Sequence, residues 1–243
     1  MARLLLASTA GWRTVALPSA TETVMASVLR LYEDTLSNTA EPVGLPPVPR
    51  MIFVVHGAAT IGGSAVSDGE TWHGEADVML APGVSGVTAW RFELVPERAG
   101  DAPLLAAGIR SQLKLAARLD TLRAGELLMR GDSVAFPPGG CAYLHRHQGP
   151  GIRCLIEGGI RIDTDGRSTS YGPGAAWYES GPAPVFAQAA ADRPSRFIRV
   201  LILPRTLLGK SSIQYVNEDD KAKPKSQQYR VFVDAPIKHD PAD

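Results

Sequence analysis

Apolar residues along this chain come in short alternating runs, and turn residues interrupt them before any helical stripe can develop. Met51-Ile-Phe-Val-Val, Ala76-Asp-Val-Met-Leu, Val87-Thr-Ala-Trp-Arg-Phe-Glu-Leu-Val, Ile160-Arg-Ile-Asp, Phe197-Ile-Arg-Val-Leu-Ile-Leu and Tyr229-Arg-Val-Phe-Val are the clearest. Each has strand length and strand composition, and 24 glycines and 19 prolines punctuate the spaces between them. The pattern predicts an all-β sandwich or barrel. Only Leu104 to Leu122 admits a helix, and Ser111-Gln-Leu-Lys-Leu inside it alternates like a strand, so both readings stand there.

The strands recur in order. Val54-Val-His-Gly-Ala-Ala-Thr-Ile matches Leu155-Ile-Glu-Gly-Gly-Ile-Arg-Ile, with Gly57 and Gly158 as the shared glycine, 101 residues apart. Asp68-Gly69 is aligned with Asp165-Gly166, and Gly74 to Gly83 with Gly174 to Pro184. The copies close on Trp90-Arg-Phe-Glu-Leu-Val-Pro96 and Ile198-Arg-Val-Leu-Ile-Leu-Pro204. Two copies of one β-rich unit imply two similar barrels.

Balanced charge, 25 basic against 25 acidic residues, argues against a nucleic-acid footprint, which needs clustered Lys and Arg. No apolar stretch approaches the roughly 18 residues of a membrane helix. The run Leu4 to Ala7 is shorter than the about 7–15 apolar residues of a signal peptide. Cys141 and Cys154 have no metal-like spacing and define no disulfide framework. A cytoplasmic protein, with no nucleic-acid or membrane partner, is the expectation.

The chemistry concentrates in Gly139-Gly-Cys-Ala-Tyr-Leu-His-Arg-His-Gln-Gly-Pro-Gly-Ile-Arg-Cys-Leu-Ile-Glu-Gly158. Side chains at i and i+2 of a strand share a face, so His145 and His147 aim two imidazoles at one point, where a metal ion fits. Cys141 and Tyr143 share that face if the strand is regular. Arg153, facing inward from the next strand, needs a carboxylate partner: a substrate acid group, Glu157 or Glu179. His56 and His73 lie in turn-rich positions that favour the surface, and His239 lies in the polar C-terminal tail.

The stretch resembles the first motif of the cupin superfamily, G-x5-H-x-H-x3/4-E-x6-G. Gly139, His145, His147 and Gly158 fit it, while Gly151 stands where the glutamate ligand belongs. The second motif falls on Gly174 to Val185, where Pro184 or Val185 replaces the third histidine. In the first copy the histidine positions fall on Gly44 and Pro46.

The resemblance implies two tandem cupin jelly-roll barrels with a degenerate metal site in the second. The expected division is 1–100, a structural N-terminal barrel; 101–124, a linker and first strands; 125–208, the barrel with the His-x-His site; and 209–243, a tail ending in an edge strand. Such a strand offers a route to a homodimer. The expected cofactor is a divalent transition metal (Mn, Fe, Ni or Zn) on His145 and His147, with Gln188 as a further ligand and Glu179 and Gln148 as weaker candidates. Arg153 and Glu179 are the candidate catalytic residues. The implied function is a metal-dependent cupin acting on a small, carboxylate-bearing molecule by lyase, isomerase or hydrolase chemistry. Its rivals are a non-enzymatic binding or sensor cupin and a dioxygenase.

Overall fold

The computed structural model describes residues 27–120, 122 and 125–238, so the N-terminal leader reading and His239 lie outside it. The first half is one seven-stranded sheet: β1 (Ser27–Leu36), β2 (Val43–Leu45), β3 (Arg50–Ile61), β4 (Ser64–Ser67), β5 (Thr71–Gly74), β6 (Val78–Pro96) and β7 (Ile109–Arg118). Their order is β4-β3-β6-β1-β7, with β2 also on β6 and β5 on β3. The ambiguous segment is therefore a strand. β7 pairs antiparallel with β1, and tertiary pairing decides what the local pattern left open.

The second half contributes β8 (Leu127–Phe136), β9 (Cys141–His147), β10 (Gly151–Glu157), β11 (Ile160–Thr164) and β12 (Arg167–Tyr171). It continues with β13 (Ala176–Glu179), β14 (Val185–Ala189), β15 (Ser195–Pro204), β16 (Ile213–Tyr215) and β17 (Gln228–Ile237). These form two five-stranded sheets, β13-β10-β15-β8-β17 and β12-β11-β14-β9-β16. Apolar residues of both, among them Val134, Ala142, Leu155, Ile162, Trp177, Val185 and Phe197, fill the space between them. The fold is all-β, in antiparallel sheets. Among the described residues no helix is long and apolar enough to cross a membrane.

One pairing scheme is used twice. Tyr32 faces Arg91 across β1 and β6, as Asp132 faces Arg199 across β8 and β15. Ile52 faces Trp72 as Arg153 faces Trp177. β7 lies beside β1 as β17 lies beside β8. The register slips between Val54 and His56 in one half and between Leu155 and Glu157 in the other. Immediately after each slip stands the shared glycine, with φ 84° at both Gly57 and Gly158. A Cβ there would lie 2.2 Å from the carbonyl oxygen of Gly86 or of Pro194. Only glycine meets both demands.

The scheme corrects two details of the repeat. The turn matching Asp165-Gly166 is Gly62-Gly63, which closes β3 onto β4 as Asp165-Gly166 closes β11 onto β12. Asp68-Gly69 is the next turn along. Leu45 faces Val78 as His145 faces Val185, so the first-half counterpart of His145 is the buried Leu45 and not Gly44. By the same pairing Ile52 stands for Arg153 and Gly74 for Glu179. At these positions the first half lacks the counterparts of His145, Arg153 and Glu179, although Arg91 stands where Arg199 does.

The halves pack face to face. Leu29, Met51, Phe53 and Phe92 of the first sheet meet Met129, Ile152, Cys154, Ile198, Val200 and Ile202 of the second half. Alternation along β10 and β15 sends Ile152 and Val200 into this interface, and Arg153 and Arg199 into the second barrel.

Candidate metal site in the second barrel

His145 and His147 are held in the middle of their sheet, because β9 has β14 on one side and β16 on the other. Both are buried, 4% and 5% exposed. Their Nε2 atoms are 3.2 Å apart, with the rings nearly perpendicular at 83°. His145 Nδ1 lies 2.7 Å from the carbonyl oxygen of Tyr143 and must donate to it, which leaves Nε2 as a lone pair facing His147. His147 Nδ1 is 3.4 Å from Ser212 Oγ.

The face shared by the two histidines does not extend to Cys141 and Tyr143. The register of β9 against β14 shifts after His145, so Ala142 is the next inward residue. Cys154 points into the interface between the halves, where burial pushes its thiol up to about 12 and leaves it inert.

Two ion pairs flank the imidazoles. Arg153 Nη2 is 2.7 Å from Glu179 Oε2, although neither atom makes a hydrogen bond, so the charges touch without alignment. Arg153 Nη1 donates to the Gly151 carbonyl at 2.7 Å, and Trp177 Nε1 donates to Glu179 Oε1 at 2.9 Å. Arg199 grips Asp132 with two bonds of 2.9 and 2.6 Å, and its Nη1 lies 3.5 Å from His147 Nε2. Burial, then the Arg199 and Arg153 charges, hold His147 well below the ordinary histidine range. Burial also lowers His145, against the opposing charge of Glu179. Burial brings Arg153 down to about 10, with Glu179 working the other way. Two neutral imidazoles, two guanidinium groups and two carboxylates make the cluster neutral.

The three partners open to Arg153 reduce to one. Glu179 is its counter-ion, and Glu157 pairs instead with Arg196 on the surface at 2.7 Å. A substrate acid does not reach Arg153, because the cavity it shares with His145, His147, Glu179 and Arg199 measures about 20 Å³. That is space for one water or one ion. Gln188 is not brought to the histidines. It alternates with the inward Ala187 and Ala189, so its amide turns outward and donates to Gly139 O at 2.7 Å. Gln148 is exposed.

The pair itself fits an ion. Two nitrogens 3.2 Å apart, each about 2.1 Å from a shared ion, subtend an angle near 100°, which suits neighbouring ligand positions. His145 with its far nitrogen on a carbonyl has the usual support of a metal-bound imidazole. Among the described residues no group of three or more His, Cys, Asp or Glu is arranged to hold a metal. The third donor within reach is Glu179 Oε2, buried, lacking a hydrogen bond and 3.7 Å from His147 Nε2. It enters from the strand opposite Gly151, the position where the resemblance expects the glutamate. A side chain at 151 would meet the Val200 carbonyl at 2.3 Å, so the carboxylate can come only from the neighbouring strand. Val185, directly across from His145, fills the place of the third histidine with an apolar group. The donor set fits a weakly held ion.

Arg199, Asp132 and Ser212 escaped the sequence reading. Arg199 did leave a signal, as a lone charge inside the apolar run Phe197 to Leu203, which demands a buried partner. Because the histidines are neutral when buried and titrate near 6.5 when unfolded, the unfolded chain binds more protons at acidic pH. Their contribution to stability is therefore complete only well above 6.5 and is lost progressively as the pH falls through that value. Urea midpoints of metal-free protein are expected to drop between about pH 7.5 and about pH 5.5, and His147→Gln to flatten that slope. An unchanged slope in the variant would contradict the neutral assignment.

No family model and no curated protein matches the sequence. Similar solved structures include a cupin 2 conserved barrel domain protein from Leptotrichia buccalis, 14% identical, TM-score 0.45, over 73% of this chain and 84% of that one. The salicylate 1,2-dioxygenase of Pseudaminobacter salicylatoxidans is 12% identical, TM-score 0.48, over 73% and 71%. A deletion mutant of Bacillus subtilis oxalate decarboxylase is 13% identical, TM-score 0.46, over 75% and 72%. Likeness at this level transfers no residue role, and the architecture rests on the strand pairing of the chain itself.

Proposed function

We propose that this chain is a metal-binding cupin whose second barrel holds one divalent transition ion, Mn, Fe, Ni or Zn, on His145 and His147, with Glu179 completing the site. The observation that carries the reading is the pair of Nε2 atoms 3.2 Å apart, with His145 fixed through its other nitrogen by the Tyr143 carbonyl. Such an ion, when bound, polarises a substrate oxygen or activates a water, which suits lyase, isomerase or hydrolase chemistry on a small molecule. Arg153 lies 2.7 Å from Glu179 Oε2 on the side facing the histidines, and Asp132 holds Arg199 against His147. Both guanidinium groups repel a cation, so the ion is expected to exchange readily.

Elemental analysis of untagged protein, soaked in each metal and desalted, tests this. About one equivalent of at least one metal is expected. His145→Ala and His147→Ala should each abolish it, whereas His56→Ala, on the exposed bulge of the first half, should retain it. Clearly substoichiometric content of every metal in the parent protein would defeat the proposal.

A further inference from the structure

Beside the small inner cavity lies a second space that His147 also borders. It is a cleft of about 360 Å³ between β8, β16, β17 and the segment Gly209 to Ile213, at the lower end of ordinary small-molecule sites. A larger hollow of about 580 Å³ beside His147 is walled mainly by Leu122, Leu127, Pro150, Pro182 and Pro204 and has only the exposed Glu126 and Arg146 as charges.

The cleft has an uneven charge. Arg199 is cancelled by Asp132, and Arg130 by Asp234 at 2.9 Å. Lys210 and Lys225 remain. Among the described residues neither has a carboxylate at ion-pair distance; Lys225 donates to the backbone carbonyls of Asp220, Lys221 and Lys223 and lies 4.3 Å from the ring centre of Tyr215, so it offers its charge to the cleft and not a free donor. The rings of Tyr215 and Tyr229 wall the space, and Tyr229 stacks toward Arg199 at 5.8 Å. Gln227, 7% exposed, hydrogen-bonds Tyr215 and Tyr229 through its side chain, while its buried Oε1 accepts no hydrogen bond. A buried carbonyl oxygen without a donor is costly, and a ligand that donates to it removes that cost.

We infer that this cleft binds a small organic acid that also carries a hydroxyl or amino group. The acid answers Lys210 and Lys225, the N–H or O–H donor answers Gln227 Oε1, and an apolar body lies between the two tyrosines. A carboxylate is favoured over a phosphate because the guanidinium forks, the preferred phosphate partners, are already filled by aspartates. The inference deepens the metal reading, resting on it only in taking His147 as the shared floor, and it gives the substrate class and its place.

Titration calorimetry on metal-free full-length protein tests it with three probes. Mandelate has a ring, a carboxylate and a hydroxyl; phenylacetate lacks the hydroxyl; phenylethanediol lacks the acid. Mandelate is expected to bind about tenfold tighter than phenylacetate, and the diol not measurably. Gln227→Leu should bring mandelate to the level of phenylacetate. Lys210→Ala combined with Lys225→Met should weaken both acids by about tenfold or more. The titrations use metal-free protein, so failure of the metal reading and failure of this one are told apart, and His56→Ala, exposed in the first half, should leave acid binding intact. Equal binding of the diol, no heat with any probe, indifference to the Gln227 and lysine variants, or loss of acid binding in His56→Ala would each overturn it.

Discussion

Glu93→Ala is expected to lower the unfolding free energy by about 3–5 kcal/mol, a large part of the roughly 5–15 kcal/mol of a typical domain. Glu93 is 2% exposed and bridges two guanidinium groups, Arg50 at 2.8 Å and Arg91 at 2.7 Å. Arg91 would keep Asp34 at 2.6 Å, with its guanidinium lying 4.2 Å from the Tyr32 ring centre. Arg50 would keep only the Pro46 carbonyl. It is fully buried, its Nη1 already has no partner, and burial lowers its pKa against the opposing charge of Glu93. Removing the carboxylate leaves a whole charge in an apolar sheet. Glu93→Gln keeps one acceptor oxygen, enough for one guanidinium, but sets an amide NH2 against the other, so it should recover only part of the loss. Asp101→Ala should cost little, since Asp101 is 61% exposed and 3.6 Å from Arg30. Urea unfolding of the three variants checks the order, and a loss within about 1 kcal/mol for Glu93→Ala would refute the account.

The second large effect is expected at Gly158. An alanine there must accept a left-handed φ of 84° and a Cβ 2.2 Å from the Pro194 carbonyl oxygen and 2.6 Å from Ser195 Cα. Neither atom belongs to a flexible side chain, so the backbone must move, and a loss of at least about 3 kcal/mol is expected. The same substitution at Gly57 meets the same φ and the Gly86 carbonyl at the same distance, and should cost a similar amount. Gly172→Ala, in open space, is the control and should be near neutral. If Gly57 and Gly158 tolerate alanine as Gly172 does, the two bulges are not the constraint described above. Gly158 also touches function, because the bulge before it ends the alternation that turns Arg153 and Leu155 inward.

Much of this was legible in the residues, and the boundary is a physical one. Whether His145 and His147 share a face is a local question, settled by the two-residue period of one strand. The all-β class and the internal repeat follow from short apolar runs between turn residues, and the shared glycine reports a backbone demand that any single copy carries. Questions about neighbours were not legible. The correspondence of His145 with Leu45 rather than Gly44 follows from pairing to β14 and β6, and a one-residue slip is invisible without the partner strands. Cys141 and Tyr143 would share the histidines' face on a regular strand and do not, because a bulge within β9 breaks the parity.

The candidate site divides in the same way. By itself the chain determined that this is a β protein, that its unit occurs twice, and that two imidazoles converge in the second copy, since each of these depends on spacing along one strand. The tertiary structure decided which charges meet. It paired Arg153 with Glu179 and Arg199 with Asp132, turned Gln188 outward, and shrank the space at the histidines to that of one ion while opening a cleft beside them. Those outcomes depend on contacts between residues up to 104 positions apart, set by the register of strands that local pattern does not encode.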